Sequence, residues 1–423
     1  MNSISRRQAI AAAAFAPALL HAPAVLGQAR PRLVVVGGGF GGAGAARHAR
    51  DAYPQVDVTL VEPNRSYTTC PFSNLVLGGL RTIGSITHDY SGLARRGANI
   101  VHDRVVAVDP ARRAVRLASG GELAYDRLIV APGIEMRWGA IEGYDEAASA
   151  TIPHAWQPGA QTDLLRRQIE SIPDGGVFAM SVPANPFRCP PGPYERISMV
   201  ARWLKLNRPR AKILVLDAKD AFSKQGLFLD AWKELYPGMI EWVPLAKDGR
   251  VTKVDARERI LETEFGTRHR VDVANVVPPQ RAGRLAQEAG LADASGWCPV
   301  SARTLESRLV PGVHVVGDAT VAAPLPKSGF IATAHGKHAV ACAVAAIEGR
   351  AAPEPIYFNT CYSLVGDGYG ISVVGIFRAG PDGFVETPNS GGVTPRNPDA
   401  HQREMEAQNG EAWYRSITAS TFG

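Results

Sequence analysis

Five cysteines occur in this chain, at positions 70, 189, 298, 342 and 361. Their scatter does not suit a zinc site, and the chain holds no CxxCH sequence, so no haem of its own is expected. Three of them sit where a thiol could do chemistry. Cys70 falls in Tyr67-Thr68-Thr69-Cys70-Pro71-Phe72-Ser73-Asn74. Pro71 suits the first position of a helix, which would leave Cys70 at a helix N-terminus, where a thiol pKa drops and the thiolate is exposed. Cys189 lies in the proline-rich run 183–193, ahead of a helix-like stretch at 194–206, and Cys361 lies within 358–364. Cys298, in a turn-like stretch, and Cys342, in an Ala-rich helix, read as small buried hydrophobes. The first three could hold a redox disulfide, with the pairing open.

The elements that must position these thiols begin with a nucleotide fold. Arg32–Val36 is a continuous apolar run, as expected of a strand buried on both faces. It leads into Gly37-Gly38-Gly39-Phe40-Gly41-Gly42 and an Ala-rich helix. Gly37 permits the tight turn, Gly39 lets a pyrophosphate approach the backbone, and Gly42 lets helix and strand pack closely. The helix N-terminus then faces the phosphates with its partial positive charge. A second strand, Asp57–Val61, ends in Glu62, 20 residues past Gly42, where an acid would hold a ribose 2′-hydroxyl. Two later strands close on small-residue turns, one running through Ala131 to Gly133 and the other ending in Gly317-Asp318. Between them lies a second βαβ-like region. Where a nicotinamide site would place its glycines, this region has the prolines around Cys189, whose rings and fixed φ block a pyrophosphate. A strand at Lys212–Asp217 and a helix near 227–235 complete it.

Composition fits a globular protein, with 45% hydrophobic and 20% charged residues over 423 positions, enough for two or three domains. The formal charge of +6 is spread along the chain without the Lys/Arg runs of a nucleic-acid binder, and biases it only weakly toward an acidic partner or anionic substrate. Ser5-Arg6-Arg7-Gln8 precedes an apolar stretch that Pro17, His21 and Pro23 interrupt, with a small-residue site before Arg30. This is the layout of a twin-arginine export signal over residues 1–29, and a periplasmic destination is expected. No later stretch reads as long enough to span a membrane, so no transmembrane segment is expected in the mature chain. Residues 381–423 read as polar loop before one amphipathic stretch around 401–413.

The fingerprint, the Ala131–Gly133 turn and Gly317-Asp318 together resemble the two-dinucleotide-domain, disulfide-reductase-like flavoproteins. In these, Asp318 would bond the ribityl chain of FAD, and the helix from about Gly329 would stabilise negative charge on the flavin. Further motifs narrow the resemblance: Cys70 with Ser73-Asn74 and Gly79, Cys189-Pro190-Pro191-Gly192-Pro193-Tyr194-Glu195-Arg196, Pro326-Lys327-Ser328-Gly329-Phe330, and Asn359-Thr360-Cys361-Tyr362-Ser363 with Tyr369-Gly370-Ile371-Ser372. Over nearly the whole mature chain these are similar to the flavoprotein subunit of flavocytochrome c sulfide dehydrogenase.

The resemblance implies FAD held as a cysteinyl thioether on Cys70, and a redox-active Cys189–Cys361 disulfide with Glu195 and Trp413 lining the site. Glu195 would move a proton, its competing role being a surface salt bridge to Arg196 or Lys205. The expected cofactor-binding set is Gly37, Gly39, Gly42, Glu62, Cys70, Val106, Ala131, Gly133, Gly317, Asp318 and Lys327. Hydrosulfide or polysulfide would attack the disulfide, and electrons would pass through FAD singly to a c-type cytochrome subunit. The expected fold is α/β, with two three-layer Rossmann-like domains and a C-terminal α+β interface domain. FAD-binding segments are expected at 30–140 and 281–352, a second nucleotide-type domain without a working NAD site at 141–280, and a partner-facing domain at 353–423. Two competing readings are a sulfide:quinone oxidoreductase and a non-catalytic flavoprotein that partners or reactivates a sulfur-oxidation system. The first usually has a further cysteine between the flavin segment and the disulfide, and none lies between Cys70 and Cys189; the second would be favoured by loss of Cys189 or Cys361.

Overall fold

The computed structural model describes residues 30–423, so the expected export signal lies outside the described residues. The apolar run Arg32–Val36 forms the middle strand of a five-stranded parallel sheet, ordered Val313–Val315, Arg127–Val130, Arg32–Val36, Asp57–Val61, Asn99–Val101. Leu33, Val35, Leu128, Ile129 and Val313 are fully buried, as strands covered on both faces require. The helix Phe40–Ala52 leaves the glycine turn and lies against a second helix, Gly329–Ile347. Their backbones meet closely, because a Cβ on Gly336 would stand 2.3 Å from the Gly41 carbonyl oxygen. The second helix corrects one expectation: its 19 residues are long and apolar enough to cross a membrane by length and composition. Ala332, Ala339, Ala343 and Ala345, with Val340 and Val344, are instead buried in the core, which explains the apolarity.

A second parallel sheet runs Ile240–Val243, Lys212–Asp217, Val177–Val182, Val273–Val276. The proline-rich turn joins Val177–Val182 to the helix Gly192–Asn207, where the sequence places a Rossmann-type phosphate turn. These two sheets give the expected α/β fold.

The chain then forms an antiparallel ribbon, Ile356–Gly366 with Tyr369–Ala379, in register from Ile356↔Arg378 to Leu364↔Gly370 and shifted before Gly366↔Tyr369. The amphipathic stretch expected around 401–413 is the first part of a longer helix. Asp399 caps a 23-residue helix, Ala400–Phe422, by accepting a hydrogen bond from the Gln402 amide at 2.7 Å. This helix packs back on the first sheet's side of the molecule. The Phe422 ring lies 5.7 Å from Phe40, 5.8 Å from Tyr67 and 5.1 Å from His88.

Candidate active site

A cavity of about 710 Å³ runs from the glycine turn to the ribbon. Gly37 has φ +100°, and a Cβ there would stand 2.3 Å from the Ala131 carbonyl oxygen. Gly39 and Glu62 continue the same wall. One Glu62 oxygen accepts from the Gly38 amide at 2.8 Å, and the other from the Asn64 amide at 2.9 Å. Ala131, Gly133, Gly317, Asp318 and Lys327 also line the cavity. Lys327 donates to the carbonyls of Asp318 at 2.7 Å and Thr320 at 2.8 Å, and burial draws its pKa down to about 8. Ser328 caps the helix Gly329–Ile347, whose first residues line the cavity, so its N-terminal end faces the space.

Two expected cofactor residues do not line the cavity. Gly42 instead closes the helix onto the turn: a Cβ there would stand 1.8 Å from the Gly37 carbonyl oxygen. Val106 is displaced by its neighbour Val105, which lines the space. Val106 lies where the strand Val105–Asp109 shifts register against Ala114–Leu117.

At the far end, Cys70, Cys189, Glu195, Cys361 and Trp413 share the cavity wall. All five cysteines of the chain are free thiols, and Cys298 and Cys342 are buried as expected. The helix after Cys70 begins only at Ser73, because Phe72 takes a left-handed φ of 70°, and it spans five residues. Cys70 therefore does not cap a helix. Its thiol is drawn down to about 7 by a hydrogen bond with Cys189, against burial, with the Arg188 guanidinium assisting. The same contact pushes the Cys189 thiol up. Cys189 itself sits at φ 60°, a conformation rare outside glycine, with its amide donating to the Lys327 carbonyl at 2.8 Å. Burial pushes the Cys361 thiol up, opposed first by the Lys224 ammonium.

Glu195 makes no salt bridge to Arg196 or Lys205. Its two oxygens accept from Asn74 Nδ2 at 2.7 Å and the Leu364 amide at 3.0 Å, and burial raises its pKa. Arg196, only 2% exposed, organises this arrangement. It donates to Asn74 Oδ1 at 3.0 Å, Asn275 Oδ1 at 3.0 Å, and the carbonyls of His154 at 2.9 Å and Ala155 at 2.7 Å. Asn74 is thereby fixed with its amide nitrogen toward Glu195. Replacing Arg196 with Met leaves Asn74 Oδ1, Asn275 Oδ1 and the Ala155 carbonyl without this donor, while the His154 carbonyl keeps Asn275 Nδ2 at 2.9 Å, and urea denaturation is expected to show a loss of about 3–4 kcal/mol.

The residues missed in the sequence are Asn74, Arg188, Arg196 and Lys224. Asn74 and Arg196 stood inside quoted motifs, but their partnership joins positions 122 residues apart and carries no local signal. Three cavity residues carry buried polar atoms without a partner: Asp318 Oδ1, Arg188 Nε and Trp413 Nε1. One acceptor and two donors left bare in an elongated cavity, with a glycine turn at one end, fit a flavin dinucleotide.

Comparison with known proteins agrees with this geometry. Residues 31–161 match the pyridine nucleotide-disulphide oxidoreductase family. Residues 162–278 match the central region of the sulfide dehydrogenase [flavocytochrome c] flavoprotein chain, and 353–422 the flavocytochrome c sulphide dehydrogenase flavin-binding family. The mitochondrial sulfide:quinone oxidoreductase of Mus musculus is 23% identical over 68% of this chain. The alignments span 65% of the length of that protein and of its Dictyostelium discoideum counterpart. The sulfide:quinone oxidoreductase of Aquifex aeolicus superposes with a TM-score of 0.70 at 17% identity, covering 92% of each chain, a likeness of fold. The sulfide dehydrogenase [flavocytochrome c] flavoprotein chain of Chlorobaculum thiosulfatiphilum is 60% identical over 45 residues, which are 11% of this chain and 94% of that sequence. With two of its three matched regions and this relative in common, the chain belongs to the family of flavocytochrome c sulfide dehydrogenase flavoprotein chains.

Proposed function

We propose that the chain is the flavin-bearing subunit of a periplasmic sulfide dehydrogenase that passes electrons to a c-type cytochrome. The observation that carries this reading is the meeting of Cys189, Cys361 and a buried carboxyl, Glu195, at one end of a cavity whose other end is a dinucleotide turn. FAD would lie along the cavity. Gly37, Gly39 and Glu62 would hold its adenosine and phosphate end, Asp318 and Lys327 its middle, and Cys70 would bind it covalently. Bound flavin would accept two electrons together and release them one at a time.

The chain's own residues handle sulfur. With Cys189 and Cys361 joined as a disulfide in the oxidised protein, hydrosulfide attacks one sulfur; a new S–S bond forms, the old one breaks, and the other cysteine leaves as thiolate. Over the cycle hydrosulfide loses two electrons to the flavin and a proton, which Glu195 is placed to accept. The sulfur leaves on a second hydrosulfide as polysulfide. Asn74 and the Leu364 amide hold the Glu195 carboxyl in place between the two cysteine-bearing segments. A cytochrome would cover the outer face of the C-terminal sheet, where Ile356, Phe358 and Val374 are exposed on one face.

Anaerobic addition of sulfide to the purified flavoprotein is the direct test. The flavin absorbance should bleach, and oxidised cytochrome c should restore it faster than a soluble quinone does. Faster reoxidation by the quinone would replace the cytochrome reading with a quinone-linked one, which the sulfide:quinone oxidoreductase relatives make the alternative. No bleaching would leave the non-catalytic flavoprotein.

A further inference from the structure

Behind the strand that carries Cys361 lies a lysine that the sulfur chemistry above does not use. Lys224 precedes the helix Gln225–Leu235, takes a left-handed φ of 63°, and is 7% exposed. A side chain of this kind is rarely buried, and its backbone conformation is uncommon outside glycine. Its ammonium donates to the Cys361 carbonyl at 2.9 Å, to Ser363 Oγ at 2.8 Å and to the Ile371 carbonyl at 3.5 Å. The Phe228 ring lies 5.6 Å away on another side. Every one of these partners is uncharged, and among the described residues no carboxylate forms an ion pair with Lys224. A buried cation in this state is costly unless a negative charge reaches it through the protein.

The charged and titratable groups that face Lys224 come from four directions. They are Cys361 on the ribbon, Glu195 on the helix Gly192–Asn207, Cys189 in the turn before it, and Glu406 on the C-terminal helix. Glu195 is held by Asn74 and the Leu364 amide. Glu406 accepts from Ser372 Oγ at 3.0 Å and Thr394 Oγ1 at 2.9 Å. Glu195 loses its charge when it takes up the proton, so the negative charge that remains for Lys224 to hold during sulfur chemistry sits on the cysteine sulfurs.

We propose that Lys224 is a positioning residue for the sulfur chemistry: its ammonium, fixed behind the Cys361 strand, holds negative charge on the sulfur at Cys361. This rests on the sulfide reading of the site. When hydrosulfide opens a Cys189–Cys361 disulfide, one S–S bond replaces another and the single negative charge of the nucleophile stays on the sulfur atoms, as thiolate on one cysteine or as persulfide on the other. A fixed cation beside Cys361 favours that charge without taking part in any bond. Burial draws the lysine down to about 8, so its help is full below that pH and fades above it.

The test uses the reduced full-length flavoprotein and follows iodoacetamide alkylation of Cys361 by peptide mass spectrometry between pH 6 and 10. Lys224→Met should raise the midpoint of the Cys361 profile by about one pH unit and slow alkylation about tenfold at pH 7. Lys224→Arg, which keeps the charge, should restore the wild-type midpoint. If the Met variant does not fold, Lys224→Gln takes its place: a Cys361 midpoint raised in the same way supports the proposal, and a midpoint equal to the wild type overturns it. An unchanged midpoint in a folded Lys224→Met protein, with sulfide bleaching intact in the wild type, overturns the Lys224 assignment only. Absence of sulfide bleaching in the wild type overturns the sulfide reading and the lysine's part in it together.

Discussion

Serine in place of Cys361 should slow sulfide-dependent bleaching of the flavin by roughly a thousandfold or more. The exchange is nearly isosteric at a half-buried position, so the fold and the flavin spectrum should persist. What disappears is the S–S bond that hydrosulfide attacks, and an alcohol offers no substitute. Cys189→Ser should behave alike. Its left-handed backbone is set by the turn and not by the thiol, because the Cys189 amide and carbonyl are both engaged, with Lys327 and Gly192. Anaerobic stopped-flow measurement in the flavin band separates the outcomes. Bleaching at the wild-type rate in either variant would mean that sulfide reaches the flavin directly and that the two cysteines serve only as walls.

Removing the Cys70 thiol should release nearly all the flavin from acid-denatured protein, whereas the wild-type chain stays yellow through precipitation and washing. The structure gives this thiol the means to react: its pKa is drawn down to about 7, which favours the thiolate. The cause differs from the one its sequence neighbourhood suggests. Pro71 does not open a helix over Cys70, and the thiol is activated by Cys189 and Arg188 from the proline-rich turn. Cys70→Ala keeps the cavity and should still bind flavin reversibly. A wild-type chain that loses its colour in acid would leave Cys70 as a wall residue.

The fold was legible wherever local pattern carries it. The strand at Lys212–Asp217 agrees to the residue, and the glycine turn with its flanking strand and helix stands where it was expected. The C-terminal helix was legible only in part, as an amphipathic stretch around 401–413 inside Ala400–Phe422. Its buried residues include Arg403, Gly410, Thr418 and Thr421 beside Tyr414 and Ile417, so much of its packing carries no apolar signal. In the site, residue types with intrinsic chemistry could be read, and their supports could not. Val106 lies at a register shift, a local irregularity that the apolar pattern of its strand does not announce. Asn74, Arg196 and Lys224 act through partners distant in the chain, and a lone lysine or asparagine carries no signal of that in its neighbours.

The cavity has a further meaning for how the protein is made. Its walls meet through contacts such as Leu364 with Glu195, which lie 169 residues apart in the chain. Loops of this length close late, since their entropy is lost before the contact stabilises anything. The binding space therefore does not exist in a half-synthesised chain, nor in one whose ribbon has yet to dock. Cofactor loading must follow near-complete folding, and the yellow colour of a preparation then counts finished molecules.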